Sequence, residues 1–162
     1  MSVNAQARII SIEDVLIALL NHDTDEAYRF ASDLTGLSED HLNEMLHAEN
    51  WYTAVNYMYR DTCNYKKCNR AFVRRIITKA QQKEIISCCD NDTYFIPESI
   101  GLPAERFPEY TEDDHPYFEI GDCKPVYGRP SMEILPVTAN ELVAKFREMK
   151  GRWQEAAVDF CP

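Results

Sequence analysis

The chain has 162 residues, of which 45% are hydrophobic and 11% aromatic; this is enough apolar side chain for a folded core and too much for a disordered chain. A formal net charge of −10 opposes non-specific attraction of the whole molecule to nucleic acid or anionic membranes. No apolar run approaches the roughly 18 residues that span a bilayer, and Glu13 and Asp14 interrupt the apolar stretch near the N-terminus, so we expect a cytoplasmic protein.

Charge is sorted along the chain. Residues 1–59 hold ten acidic and two basic side chains, residues 60–89 hold two acidic and eight basic ones, and residues 90–162 hold fifteen acidic and seven basic ones. The net charge therefore runs −8, +6 and −8. Such sorting indicates interaction surfaces and says little about catalysis.

The first third of the chain predicts three helices. Ser11 can cap a helix that begins at Ile12, a second helix begins near Thr24 and ends at Gly36, and Ser38 caps a third. We expect their apolar faces to point inward. The residues of these faces are Val15, Leu16, Leu19, Leu20, Ala27, Phe30, Ala31, Leu34, Leu42, Met45 and Leu46.

Two more helices are predicted from the same periodicity. The segment 51–62 places Trp51 and Val55 on one helical face, and the segment 69–83 has an apolar arc centred on Val73 and Ile76. The remaining side of the second segment would be cationic. Its basic residues are Arg70, Arg74, Arg75, Lys79 and Lys83.

The amino-acid composition changes in the rest of the chain. Seven of the eight prolines lie in residues 97–136, where only short strands are expected, at 93–96, 117–120 and 132–135. Thr138 and Glu141 then form a capping box that predicts a last helix.

The predicted fold is therefore mainly α with a minor β or irregular part (α+β), in a single domain that covers residues 1–162. It consists of an N-terminal bundle of about five helices within residues 1–89, a proline-rich extended part at 90–137, and a C-terminal helix and tail at 138–162.

The stretch 31–45 is similar to a helix-turn-helix unit, with Gly36 at the turn. In DNA-binding versions the start of the second helix enters the major groove. Here that helix begins with Glu39 and Asp40, whose carboxylates would be repelled by phosphates. An ordinary helical hairpin is favoured over DNA reading.

The acidic segments predict the main hypothesis, a non-enzymatic protein that binds a basic or nucleic-acid-binding surface of another protein, as an inhibitor. Carboxylates spaced along a helix can imitate phosphates. By analogy, such proteins occur as phage anti-defence factors, nucleic-acid mimics and immunity proteins. The candidate partner-binding residues are Asp23, Asp25, Glu26, Asp33, Glu39, Asp40, Glu44, Glu112, Asp113 and Asp114.

The basic segment 57–83 gives the alternative, a nucleic-acid-binding regulator. Its cations are interleaved with the aromatic residues Tyr57, Tyr59, Tyr65 and Phe72, a composition typical of single-strand binders. The candidate cations are Lys66, Lys67, Arg70, Arg74 and Arg75. Pairing of these cations with the protein's own acids is the favoured interpretation.

Metal and catalytic patterns are weak. Cys63, Cys68, Cys88 and Cys89 could together hold zinc, but adjacent cysteines make a poor half-site, so free thiols and no cofactor are expected. Asp113 and Asp114, a strand, then Asp122 and Lys124 are similar to the core of a metal-dependent nuclease. Neither a glycine-rich phosphate loop nor a Gly-x-Ser-x-Gly motif occurs, which favours a protein that is not an enzyme.

Overall fold

The computed structural model describes residues 11–22, 24–47 and 49–160. The chain divides into two compact units, residues 1–48 and residues 49–162. In the described residues, none of the helices combines the length and the apolar character that crossing a membrane requires.

The first unit contains three helices, α1 (Ile12–Asn21), α2 (Asp25–Thr35) and α3 (Glu39–Leu46). The predicted caps Ser11 and Ser38 are confirmed, and Thr24 caps α2: each of the three side chains accepts a hydrogen bond from a backbone N–H of the first turn. Gly36 ends α2 in a left-handed conformation (φ 73°), which explains why glycine occupies this position. We refer to α1–α3 as the acidic helices.

The second unit is built on a curled mixed sheet with strand order β3-β4-β1-β2-β5. The strands are β1 (Trp51–Arg60), β2 (Lys66–Arg74), β3 (Tyr94–Phe95), β4 (Phe118–Tyr127) and β5 (Ile134–Thr138). The central strand β1 pairs antiparallel with β2 and β4, and β5 runs parallel to β2. The helices are α4 (Lys79–Cys88), α5 (Ala139–Met149) and α6 (Trp153–Val158), with a 3₁₀ turn at Pro97–Ile100.

The prediction of a mainly helical fold is wrong. The structure is 40% helical and 25% strand, and a five-stranded sheet takes the place of the fourth and fifth helices. Segment 51–62 forms strand β1, and segment 69–83 forms most of β2, a turn and the start of α4. Aromatic and β-branched residues dominate β1, and such side chains suit a pleated surface better than a helix. The last helix, with its capping box of Thr138 and Glu141, is confirmed.

One face of the sheet forms the core of the second unit, and we call it the core face. It presents Val55, Tyr57, Tyr59, Val73 and Phe118, all buried. Side chains of α4–α6 join the same cluster, among them Ile85, Leu142, Phe146 and Trp153. Residues at alternating positions on the strands point to the opposite face, which we call the outer face.

Candidate functional site

Helices α2 and α3 present their carboxylates to solvent. Six of the predicted partner-binding residues are exposed: Asp25, Glu26, Asp33, Glu39, Asp40 and Glu44. Glu44 lies 3.8 Å from Nδ1 of His41, whereas the other five form no salt bridge with any residue that the structure describes. Asp23 lies outside the described residues. The prediction that these positions are helical and solvent-facing is therefore confirmed for the six.

Four of these acids also stabilise their own helices. Asp25 and Glu26 occupy the first turn of α2, and Glu39 and Asp40 occupy the first turn of α3. A carboxylate there interacts favourably with the helix macrodipole, by about 0.3–1 kcal/mol. Asp33 lies beyond the first turn of α2, so the helix macrodipole does not stabilise its carboxylate.

An apolar groove runs between α1 and α2. It encloses about 540 Å³ and is lined by Val15, Leu19, Ala27, Phe30 and Leu34, with Asp14 and Glu26 beside it. Phe30 is 69% exposed and Leu34 51% exposed. The expectation that these two side chains point inward is therefore wrong, although their neighbour Ala31 is buried as expected. Large apolar side chains exposed together on one helix face are typical of a binding surface.

The acids of the proline-rich loop have structural partners. Asp114 accepts a short hydrogen bond from the buried Tyr59 hydroxyl and another from the backbone N–H of Thr111 (2.8 Å). Asp113 accepts hydrogen bonds from the Thr62 hydroxyl (2.6 Å) and the Cys63 thiol (3.3 Å). Of the three candidates in this loop, Glu112 is exposed, whereas Asp113 and Asp114 are half-buried. Asp113 and Asp114 thus tie the loop to strand β1 and the turn that follows it.

These contacts shift the pKa of both partners. Burial, together with the hydrogen bond to Asp114, raises the pKa of Tyr59 to about 12. The same hydrogen bond holds the pKa of Asp114 below its ordinary value. The contribution of Asp114 to stability is therefore present above an unfolded-state pKa near 3.8 and is lost as the pH falls through the lower folded-state value.

The thiol of Cys63 provides a test of the loop contact. The carboxylate of Asp113 accepts the thiol hydrogen and repels the thiolate, so the pKa of Cys63 is raised. Since the thiolate is the nucleophile, Asp113→Asn is expected to speed alkylation of Cys63 by iodoacetamide at neutral pH. Peptide mass spectrometry measures the rate, with the exposed Cys68 of the same molecule as the internal control. An unchanged Cys63 rate would contradict the contact.

Four of the five candidate cations, Lys66, Lys67, Arg70 and Arg74, lie on strand β2. The prediction of a cationic helix is therefore wrong for Arg70, Arg74 and Arg75, whereas Lys79 and Lys83 do lie on helix α4. Lys66, Arg70 and Arg74 lie at every fourth position of β2 and point to the outer face, all exposed. Lys67 reaches Glu105 (3.5 Å), and Arg75, just past the strand, reaches Glu49 (3.3 Å). Pairing with the protein's own acids is therefore confirmed for these last two.

A series of side-chain hydrogen bonds crosses the outer face. Nε of Arg70 donates to Asn56 (2.7 Å), Nδ2 of Asn56 donates to Asp122 (2.8 Å), and Asp122 pairs with Lys124 (3.2 Å). The β1–β4 register shifts between Val55 and Tyr57, as in a β-bulge. Glycine is required at position 121 because a Cβ there would stand 2.7 Å from the backbone oxygen of Asn56.

Three of the four aromatic residues of the basic segment are buried. Tyr57 and Tyr59 lie on the core face, and Phe72 is 7% exposed. These three are therefore not available as stacking platforms for bases, whereas Tyr65, in the turn before β2, is 68% exposed.

The nuclease-like residues are separated. Asp114 binds Tyr59, which points to the core face, whereas Asp122 binds Asn56, which points to the outer face. Asp122 and Lys124 are brought together, but the preceding carboxylates do not join them. Within residues 11–22, 24–47 and 49–160, we find no group of three or more His, Cys, Asp or Glu side chains placed to hold a metal.

The four cysteines of the zinc hypothesis are likewise apart. Cys63 lies in the turn after β1 and Cys68 on the outer face, both exposed, whereas Cys88 and Cys89 are buried at the end of α4. Cys88 and Cys89 belong to the core cluster. Burial raises the pKa of Cys89 to about 12, and the pKa of buried Cys123 also to about 12.

The raised pKa values of Cys89 and Cys123 predict that the protein becomes less stable at alkaline pH. Their ordinary pKa is 9.0, so the unfolded chain releases protons at a lower pH than the folded chain does. The free energy of unfolding should therefore fall as the pH rises from about 9 to 12. Urea unfolding across this range measures the fall, which is expected to be smaller in a Cys89→Ala/Cys123→Ala variant. Equal slopes in the two proteins would rule out the thiols as its source.

Comparisons with known proteins give no match to any family model, any curated protein or any solved structure.

Proposed function

We propose that this protein is a non-enzymatic binding protein whose acidic helices engage a basic surface of a target protein, as an inhibitor of a protein that handles nucleic acid. The observation that carries the proposal is the set of exposed carboxylates on α2 and α3, five of which form no salt bridge with a described residue. Across residues 1–48, nine acidic residues stand against Arg8 and Arg29.

The charge arrangement supports a protein partner of opposite sign. A helix holds its side chains at a fixed rise of about 1.5 Å per residue, so carboxylates along it form a rigid array of negative charge. A basic cleft that normally takes phosphates would attract such an array and accelerate association at low salt. The acids of the proline-rich loop support this role less, because Asp113 and Asp114 are engaged within the second unit.

The experiment compares two variants of equal charge change. One converts the six exposed acids of α2 and α3 to amides: Asp25→Asn, Glu26→Gln, Asp33→Asn, Glu39→Gln, Asp40→Asn and Glu44→Gln. The other does the same to six exposed acids of the second unit, and so controls for net charge: Asp92→Asn, Glu109→Gln, Glu133→Gln, Glu148→Gln, Glu155→Gln and Asp159→Asn.

The readout is binding of the protein that the tagged wild-type chain captures from its native host. The affinity for that protein should fall about a hundredfold in the first variant and change little in the second. It should also weaken in the wild type between about 50 mM and about 300 mM NaCl, because salt screens exposed charges. Equal affinities of the first variant and the wild type would overturn the proposal.

A second candidate function is single-stranded nucleic-acid binding by the outer face. The observation in its favour is the set of exposed cations Lys66, Arg70 and Arg74, at every fourth position of β2, with the exposed Lys124 on the same face of β4, across β1. Electrophoretic mobility of labelled single-stranded RNA and DNA at low salt tests it, with Arg70→Glu/Arg74→Glu as the variant. This candidate predicts a shift with the wild type that the variant abolishes, and absence of a wild-type shift would eliminate it.

A further inference from the structure

We infer that the groove between α1 and α2 binds a basic amphipathic helix of the partner protein. This inference rests on the proposed function and adds to it the contact surface and the kind of element that the partner supplies. It starts from the groove's two exposed apolar residues, Phe30 and Leu34.

Phe30 and Leu34 form a ready pair of contacts for an incoming helix. They lie four residues apart on α2, so they stand one above the other on a single helix face. Ala27 continues that face, and Val15 and Leu19 of α1 form the opposite wall. An apolar groove between two helices is the receptor in the helix-in-groove mode of recognition, in which side chains at i, i+4 and i+7 of the ligand fill it.

The negative charges beside the groove determine which kind of ligand helix can bind there. Glu26 lines the groove, and Asp33 lies seven residues further along α2, about two turns on and on the same side of the helix; both carboxylates are exposed and form no salt bridge with a described residue. Lysine or arginine beside the apolar anchors of a ligand helix would meet these carboxylates at the edge of the groove. An acidic ligand helix would be repelled.

The same charge disfavours a second copy of this chain as the occupant. Residues 1–48 have nine acidic and two basic residues, so two copies meeting at this groove would bring together two strongly negative surfaces. Like charges brought together across an interface lower its stability. The observations therefore favour a basic partner helix.

The test uses two synthetic peptides of equal length and charge. The first is a helical leucine–lysine peptide with leucine at i, i+4 and i+7 positions; the second replaces every leucine by serine. Isothermal titration calorimetry measures each against the wild type and against Phe30→Ser/Leu34→Ser. The matched control is Tyr110→Ser/Val158→Ser, which removes two exposed apolar side chains of the second unit.

The inference predicts that the leucine–lysine peptide binds wild type and control alike, and binds the groove variant at least about tenfold more weakly. Circular dichroism should show native helix content in that variant, because both replaced side chains are exposed. Suppose the serine–lysine peptide binds as tightly as the leucine–lysine peptide and the groove variant changes nothing. In that case the acidic helices bind cationic peptides, as the proposed function requires, but the groove does not contribute, and the groove inference is overturned. Failure of both peptides to bind would contradict the inference and the proposed function together.

Two other occupants give distinct outcomes. If the wild type sediments as a dimer and the groove variant as a monomer, a second copy fills the groove. If removal of residues 1–10 raises the affinity for the leucine–lysine peptide about tenfold or more, the chain's own N-terminal segment competes for it. Either result overturns the inference.

Discussion

Replacing Arg106 by methionine is expected to lower the free energy of unfolding by about 3 kcal/mol, because its guanidinium joins several parts of the second unit. The side chain is 15% exposed and pairs with Glu98 through both terminal nitrogens. It also donates to the backbone oxygens of His115 (3.3 Å) and Pro116 (2.8 Å). A methionine side chain is of similar length, but it has no N–H groups to donate to Glu98 and to these backbone oxygens.

Aromatic rings enclose the same guanidinium. Its central carbon lies 4.8 Å from the ring centre of Phe118, 4.9 Å from that of Phe160 and 5.6 Å from that of Tyr59. A desolvated cation over aromatic faces contributes about 2 kcal/mol. Lysine keeps the positive charge but lacks the planar guanidinium, so the free energy of unfolding of Arg106→Lys should lie between those of Arg106→Met and the wild type.

Urea unfolding, followed by tryptophan fluorescence, measures this effect, since Trp51 and Trp153 both lie in the second unit. Arg152→Met is the control, because Arg152 and its partner Glu155 are both exposed and such a pair contributes about 0–1 kcal/mol. If Arg106→Met and Arg152→Met destabilise the protein equally, Arg106 does not have the role described.

Phe95→Ala is expected to have an effect of similar or larger size, about 3–5 kcal/mol. Phe95 is fully buried on the short strand β3. Its ring centre lies 5.7 Å from that of Tyr57 on the sheet, 5.4 Å from that of Phe146 on α5 and 6.3 Å from that of Trp153 on α6. Truncation would leave a cavity where the sheet meets two helices.

The same unfolding experiment measures it, with Tyr110→Ala as the control, since Tyr110 is 57% exposed. The fluorescence of folded Phe95→Ala should also change, because Trp153 loses a ring neighbour. A loss of stability no greater than that of Tyr110→Ala would show that Phe95 does not join the sheet to α5 and α6.

The helices that the sequence predicts correctly are those with local signals. Ser11, Thr24, Ser38 and Thr138 each cap a helix through their own side chain, and Gly36 ends one. Such signals act within a few residues and do not depend on the rest of the fold.

The sheet was missed because its strands fit a helical period as well. In β1, Trp51, Val55, Met58 and Tyr59 can be assigned to one helical face. The strand instead buries alternating side chains on the core face and pairs through its backbone with β2 and β4. The pairing of β1 with β4 joins residues that are 59 to 76 positions apart in the sequence, from Tyr59 with Phe118 to Trp51 with Tyr127, and no local pattern shows it. Thr78 and Gln81, which form the capping box of α4, were the signal that a strand had ended before residue 79.

The candidate site shows the same division. The exposure of Asp25, Glu26, Glu39 and Asp40 follows from their positions at helix starts, so the sequence was enough to predict it. The groove was missed because an apolar helix face predicts burial. Phe30 and Leu34 instead remain largely exposed, and only the three-dimensional arrangement of α1 and α2 reveals it.

The most direct test of the central claim is carboxyl footprinting of the complex with the captured partner. Carbodiimide coupling of glycine ethyl ester labels exposed acids, and mass spectrometry compares the free and the bound protein. The proposal predicts protection of Glu26 and Asp33 on α2 and of Glu39, Asp40 and Glu44 on α3, while exposed acids of the second unit such as Glu133 and Glu148 stay reactive. Protection confined to the second unit, with the acidic helices labelled as in the free protein, would contradict it.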